Sequence, residues 1–228
     1  MSELWTYTPS DFLMFSARTY YRLFELYNSE IWPAQILALT FGVVILVCLF
    51  RARARQGQII SVLLAACWFW VAWAFHAQRY ATINWVATYF AAGFVIEALL
   101  LIWTGLVRDQ LRLRPTDHPV NLAGLGLFLF ALFVQPLLGP LMGRPWLQVE
   151  FFGIAPDPMV TATLGILLLA ANRSHWLLLL VPTLWCAISG TTLWTMGSPD
   201  ALMMPLAALL VMVLALKKTL SPSARHLP

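Results

Sequence analysis

Long apolar runs separated by short polar turns repeat along most of this chain. Each run is close to the roughly 20 residues that a helix needs to cross a bilayer. The pattern predicts an all-α polytopic membrane protein, a seven-span helix bundle preceded by an amphipathic interfacial helix. The predicted spans are residues 31–50, 58–78, 84–107, 119–140, 157–172, 175–195 and 199–216. The fifth span is short, and it opens at Asp157-Pro158, a helix cap followed by a proline.

The first 30 residues form a separate amphipathic segment. Thr8 can cap a helix and Pro9 can open it. Charged and aromatic side chains then follow two stripes at helical spacing: Asp11, Arg18, Arg22 and Glu25 on one, and Leu13, Tyr20, Phe24 and Tyr27 on the other. We therefore expect a helix over residues 9–27, lying on the outer membrane surface or folded over the bundle. A simple interfacial anchor is the alternative interpretation.

Composition and charge support the membrane assignment. Hydrophobic residues make up 61% of the chain and charged residues only 11%, against about a quarter in a soluble domain. These values exclude an ordinary soluble domain and a disordered chain. The 14 basic residues stand in short clusters between apolar runs, which is typical of membrane topology and not of nucleic-acid binding.

The distribution of Lys and Arg predicts the orientation. With seven spans and the N-terminus outside, ten basic residues lie on the inner side and four on the outer side. The inner residues are Arg51, Arg53, Arg55, Arg108, Arg112, Arg114, Arg173, Lys217, Lys218 and Arg225, and the outer ones are Arg18, Arg22, Arg79 and Arg144. Because short cytoplasmic loops are enriched in Lys and Arg, the C-terminus is expected in the cytoplasm. The chain then divides into an outer helix at 1–30, a bundle at 31–216 and a short basic cytoplasmic tail at 217–228.

Aromatic residues gather on the predicted outer side, where all six tyrosines fall. Interfacial belts account for part of this enrichment. Residues 141–156 are expected to form a loop or short helix at headgroup depth, packed against the N-terminal helix.

The turn between the second and third spans carries the candidate binding site. His76 and Tyr80 are four residues apart and share a face if the helix continues, Arg79 is three from His76, and Asn84 can cap the next helix. These groups are expected to bind a small polar or anionic solute at the outer mouth of the bundle. A rigid interhelical turn with aromatic anchors is the alternative.

Glu97 lies close to the middle of the third span. An ionisable group at that depth costs several kcal/mol and normally faces the bundle interior, so Glu97 is a candidate for a proton or cation relay. The alternative is a neutral carboxyl that hydrogen-bonds a neighbouring helix. The rise per residue puts Glu97 about 20 Å deeper than His76.

Several kinds of chemistry have no sequence signal. The chain contains no HExxH, GxSxG, Walker or dinucleotide-binding motif. Cys48, Cys67 and Cys186 lie inside apolar runs, as small core residues do. We therefore predict no catalytic residues, no metal site and no cofactor, and the enzyme hypothesis is disfavoured.

Four stretches, Tyr7–Phe15, Tyr20–Asn28, Trp32–Gln35 and Ala74–Trp85, resemble an uncharacterised family of bacterial multi-pass membrane proteins. Members of that family are sometimes labelled permeases. The resemblance covers nearly the whole chain and implies a location in the bacterial inner membrane. It brings no catalytic residues with it.

Three functions remain open at this point. The first is a small-solute permease or binding protein with a site on the outer half, and the second is an accessory or assembly subunit of a larger membrane complex. The third is a membrane-embedded enzyme acting on a lipid-linked substrate. The expected partners are the lipid bilayer, a small polar or anionic solute and a membrane protein on the outer face, with no nucleic acid.

Overall fold

The computed structural model of this chain describes residues 14–51, 55–113, 116, 118–171 and 175–220. Its regular elements are helices, with one isolated β-bridge between Leu113 and Ala170. The helices are α1 Ala17–Glu30, α2 Ala34–Phe50, α3 Gln56–Trp70, α4 Ala87–Leu101, α5 Pro119–Leu129, α6 Gln135–Leu141, α7 Pro156–Leu168, α8 Trp176–Thr195 and α9 Met203–Leu220. Wider π-helical turns extend three of them, at Val71–Ala77, Ile102–Val107 and Phe130–Val134, and short 3-10 turns lie at Tyr80–Thr82 and Trp146–Gln148.

Five continuous helical segments of the described chain are long and apolar enough to cross a membrane. They are Gln56–Thr82, Ala87–Val107, Pro119–Leu141, Trp176–Thr195 and Met203–Leu220. A sixth is added if α1 and α2, which meet at an angle of 89°, are counted as one bent span. The predicted all-α fold with apolar spanning helices is therefore confirmed.

The fifth predicted span, residues 157–172, is not a helix of spanning length. Its helix, α7, has only 13 residues, or about 20 Å at the usual rise. All 13 are buried, as expected for a helix that is apolar all round and has protein on every side. The residues before it, 149–155, are not helical. The apolar run that predicts a lipid-facing span thus forms a short helix inside the bundle.

Close backbone contact holds α7 against α5. A Cβ atom added at Gly165 would lie 2.6 Å from the Gly124 carbonyl oxygen, and one added at Gly124 would lie 2.7 Å from the Gly165 carbonyl oxygen. No side chain fits between the two helices at this crossing. Because the interior is close-packed here, α7 is fixed at the centre of the bundle.

The bundle has two distinct ends. At the first, which we call the α1 end, Asn28 donates 2.8 Å hydrogen bonds to the carbonyls of Leu147 and Val149, and Arg79 forms an ion pair with Glu30. At the opposite end, the Ala171 amide donates to the Arg112 carbonyl at 2.7 Å, and Lys218 donates to the carbonyls of Leu168 and Ala170. Consecutive helices run between these two ends.

Helix α1 lies across the α1 end and begins later than predicted. Ser16 caps it, accepting from the Thr19 amide, so α1 starts at Ala17, and the described residues 14–16 before it are not helical. The predicted positions 9–13 lie outside the described residues. One face is buried through Tyr20, Phe24 and Tyr27, and Arg18 and Arg22 are exposed, which agrees with the two predicted stripes.

Candidate functional site

The start of α7 lies inside the bundle. Asp157, in the first turn of α7, accepts a hydrogen bond from Trp185 Nε1 and another from Ser189 Oγ, each at 2.7 Å. Trp185 and Ser189 stand ten and six residues before the end of α8 at Thr195, so these contacts lie roughly 9–15 Å inside the bundle. Asp157 therefore does not cap α7 as predicted, because its carboxylate is turned onto α8.

A buried polar site surrounds this helix start. Five of its residues, which we call the carboxyl cluster, are Gln135, Arg144, Glu150, Asp157 and Asp200. They line a cavity of about 10 Å³, the room of about one water molecule. The members come from α6, from the segment between α6 and α7, from α7 itself and from the turn before α9. Four parts of the chain thus converge on one point.

An ion pair and an aromatic ring close the cluster towards the α1 end. Arg144 donates to Asp200 at 2.6 Å, and the two side chains are 16% and 7% exposed. The guanidinium of Arg144 also lies 4.7 Å from the centre of the Tyr21 ring, within cation–π range. The Tyr21 hydroxyl is 2.7 Å from Ser198 Oγ, and Ser198 in turn hydrogen-bonds Asp200. Helix α1 therefore covers the site.

The cluster holds more negative than positive groups. Glu150, Asp157 and Asp200 face a single guanidinium, that of Arg144, and would together carry a net charge of −2 if all were ionised. Glu150 is buried beside the Asp157 carboxylate, and both features disfavour a negative charge on it, while Arg144 favours one. The arrangement favours neutralisation of one carboxyl or binding of a positive charge.

Two acceptors in this cavity have no donor. Glu150 Oε2 and Gln135 Oε1 are both shielded from solvent and have no hydrogen-bond partner among the described residues. Gln135 is only 6% exposed. Because a buried polar atom without a partner is costly and rare, these two atoms call for a ligand, a water or a proton.

Three of the four residues predicted at the outer turn face inward. The His76 ring lies among aromatic rings, 4.5 Å from that of Phe94 and 4.9 Å from that of Trp185. Tyr80 is near it, with ring centroids 6.1 Å apart. Asn84 hydrogen-bonds Tyr80 and caps the following turn by accepting from the Val86 amide.

The fourth predicted residue, Arg79, points elsewhere. It forms an ion pair with Glu30 and lines an open groove of about 550 Å³ with Arg18 and Arg22 of α1. The predicted pocket joining His76, Arg79 and Asn84 is therefore not formed. The physical reason is the π-helical turn at Val71–Ala77, whose i→i+5 pattern changes the direction of the residues that follow it.

Glu97 and His76 are both buried without partners. Each is 0% exposed, and neither the Glu97 oxygens nor the His76 nitrogens have a hydrogen-bond partner among the described residues. The structure also corrects their predicted separation in depth. His76 packs against Phe90 and Phe94, which precede Glu97 by two turns and one turn of α4, so the difference is roughly 5–10 Å and not 20 Å.

His76 is also linked to the carboxyl cluster through one side chain. The indole of Trp185 contacts the His76 ring on one side and donates to Asp157 on the other. His76 and the carboxyl cluster are thus neighbours, joined by the ring contact and the hydrogen bond of Trp185.

Within the described residues, no three His, Cys, Asp or Glu side chains are grouped closely enough to hold a metal ion.

The carboxyl cluster is not predicted from the sequence. Asp157 reads as a helix cap, and Glu150 and Arg144 read as isolated charges in a surface loop. One signal was available: Glu150 and Asp157 stand on either side of the apolar stretch Phe151–Ala155, as expected for a buried segment with an acid near each end.

Comparison with known proteins gives one match. A family model described as a family of unknown function, DUF6064, matches residues 17–226. Neither a curated protein nor a solved structure matches the chain. The matched region includes every helix from α1 to α9. The chain therefore belongs to the DUF6064 family, a family of unknown function.

Proposed function

We propose that this protein is a small-solute permease or solute-binding protein of the bacterial inner membrane, with the carboxyl cluster as its site on the outer half. The observation that carries the proposal is the start of α7 inside the bundle, where Asp157 is held by α8 beside the unpaired acceptors Gln135 and Glu150.

The interruption of the chain before α7, where residues 149–155 are not helical, supports this proposal. Irregular backbone at membrane depth is tolerated only where protein surrounds it or water reaches it. Discontinuous helices with ionisable groups at their ends are typical of transporter sites. Residues 149–155 followed by α7 form such an element. The small cavity is the size expected of a closed state, and α1 is the element that would have to move to admit a solute.

The proposal includes a topology. Residues 149–168 are taken as a fifth crossing, in which a non-helical segment at 149–155 is followed by α7, and this gives seven crossings with the N-terminus outside and the C-terminus in the cytoplasm. In support, Arg18, Arg22, Arg79 and Arg144 gather at the α1 end, and Arg112 and Lys218 lie at the opposite end. This division follows the positive-inside rule.

We expect a small solute to stabilise the purified protein through Asp157. The test is thermal unfolding of the full chain in detergent against a panel of inorganic cations, amines, amino acids and small carboxylates. A solute that binds the folded state raises the melting temperature, and Asp157→Asn should abolish that rise because it removes the central charge. His118→Asn, at the opposite end, should leave it unchanged. A rise that persists in Asp157→Asn, or the absence of a rise with every solute, would contradict the proposal.

A second candidate, an accessory subunit of a membrane complex, is favoured by one observation. Trp32, Trp85, Tyr89, Trp146 and Trp194 are each more than 60% exposed and lie near the α1 end. Such aromatics suit a protein interface as well as a lipid interface. The mass of the particle extracted from its native membrane with a mild detergent separates the two functions, since a permease acting alone requires no second chain.

A further inference from the structure

We propose that Glu150 binds a proton within the carboxyl cluster, so that its O–H donates to Gln135 Oε1, directly or through one water molecule. This inference rests on the proposed function, because it takes the same cluster as the working site. It adds the identity of the ion that the site takes up and releases.

The hydrogen-bonding geometry carries the inference. Gln135 and Glu150 line the same cavity, and Gln135 Oε1 and Glu150 Oε2 both lack a hydrogen-bond partner among the described residues. An amide oxygen and a carboxylate oxygen are both acceptors, so they cannot satisfy each other. One proton on Glu150 turns one acceptor into a donor and removes both deficits. The cavity of about 10 Å³ also accommodates a single water as the bridge.

The charges around Glu150 favour the same outcome. It interacts with Asp157, Arg144 and Asp200 and, from α1, with Tyr20 and Tyr21. Arg144 is already paired with Asp200, so Glu150 faces the Asp157 carboxylate without a counter-ion of its own. Protonation removes one of two neighbouring negative charges from a site of low polarity.

A metal ion is a weaker assignment for the same acceptors. The described residues contain no group of three His, Cys, Asp or Glu side chains arranged to hold one, whereas a proton needs only one carboxyl and one acceptor. In the binding step, a proton from water at the α1 end bonds to Glu150 Oε2, and no other covalent bond changes. The charge of the cluster then changes by one unit, which couples proton binding to the binding of any charged solute.

Infrared difference spectroscopy tests this assignment on the full chain in lipid nanodiscs. We expect a carbonyl band from a protonated carboxylic acid at neutral pH, and loss of that band as the pH is raised. Glu150→Gln should remove the titrating band. Glu25→Gln, which changes a glutamate paired with Arg22 on the outside of α1, should leave the band in place.

Glu150→Asp keeps a carboxyl group and provides a second test in case Glu150→Gln does not fold. Labelling the glutamate carboxyl carbons with ¹³C should shift the frequency of the titrating band in wild type. The same labelling should not shift the titrating band of Glu150→Asp, because an aspartate then carries the proton. The proton assignment is overturned if the Glu150→Gln spectrum at neutral pH equals that of wild type, or if, with Glu97 replaced by glutamine in every variant, the titrating band of Glu150→Asp still responds to glutamate labelling. Because the band is read without any solute, failure of the solute panel leaves this result intact.

Discussion

Replacing Arg144 with leucine is expected to lower the free energy of unfolding by about 3–5 kcal/mol, the usual cost of removing one partner of a buried ion pair. The Arg144 and Asp200 side chains are 16% and 7% exposed, so the variant leaves the Asp200 carboxylate shielded from water without its guanidinium. The loss also includes the contact between Arg144 and the Tyr21 ring. Unfolding in mixed detergent micelles measures the difference.

Two further variants separate the ion pair from general damage. Arg22→Leu removes an arginine of which 59% of the side chain is exposed and whose partner, Glu25, is three residues away, so it should cost less than about 1 kcal/mol. Asp200→Asn added to Arg144→Leu should recover part of the stability, because the carboxylate that loses the guanidinium is then replaced by a neutral amide. Equal losses for Arg144→Leu and Arg22→Leu would show that the pair is not buried as described.

Replacing Glu97 with lysine is expected to impair insertion or lower stability by about 3 kcal/mol, the insertion cost of a lysine at the centre of a spanning helix. Glu97 is 0% exposed and lies in α4 with no hydrogen-bond partner among the described residues. A permanent cation has no counter-charge there, and the closely packed interior leaves lysine no route to the membrane surface. Yield in the membrane and resistance to unfolding in detergent are the measurements.

The matched variant is Glu97→Gln, which keeps the size of the side chain and carries no charge. We expect it to fold with a stability within about 1 kcal/mol of wild type, in the range of a volume-conserving change. Glu30→Lys, an exposed position on α1, is the surface control and should also fold. If Glu97→Lys were as abundant and stable as wild type, Glu97 would have to face water.

Much of the helical framework is predictable from the sequence, because lipid leaves the chain few alternatives. A backbone inside a bilayer must satisfy its own hydrogen bonds, so a run of about 20 apolar residues forms a helix. The predicted runs 84–107, 119–140 and 175–195 agree closely with Ala87–Val107, Pro119–Leu141 and Trp176–Thr195. One predicted cap also agrees, since Asn84 accepts from the Val86 amide just before α4.

The element that forms the site is not predictable in this way. Phe151–Ala155 and α7 are surrounded by protein, so hydrophobicity alone does not distinguish them from a lipid-facing span or an interfacial loop. Their conformation depends on distant partners: the Tyr27 hydroxyl donates to the Ile154 carbonyl at 2.9 Å, and Gly124 admits α7 at close range. Contacts between residues that lie far apart in the chain have no local sequence signal.

The prediction of a pocket at the outer turn was wrong for a different reason. Spacing of three and four residues assumes a regular α-helix, and Val71–Ala77 is a π-helix. His76 therefore lies deeper than its position suggests, and Arg79 leaves the helix towards Glu30. The residues belong to the right region of the molecule, but the predicted convergence of all four depended on a helical period that this segment does not keep.

The most direct test of the account is whether the carboxyl cluster can be reached from water at the α1 end. Cys48, Cys67 and Cys186 are replaced by serine or alanine, and single cysteines are placed at Gln135 in the cavity, at Ser16 before α1 and at Leu164 in the middle of α7. An impermeant thiol reagent is then applied to each side of sealed proteoliposomes in turn. We expect Gln135→Cys to react only from the side that labels Ser16→Cys, with Leu164→Cys unreactive from both sides. If Gln135→Cys proved as unreactive as Leu164→Cys, the cluster would be a packing device and the proposed site would be wrong.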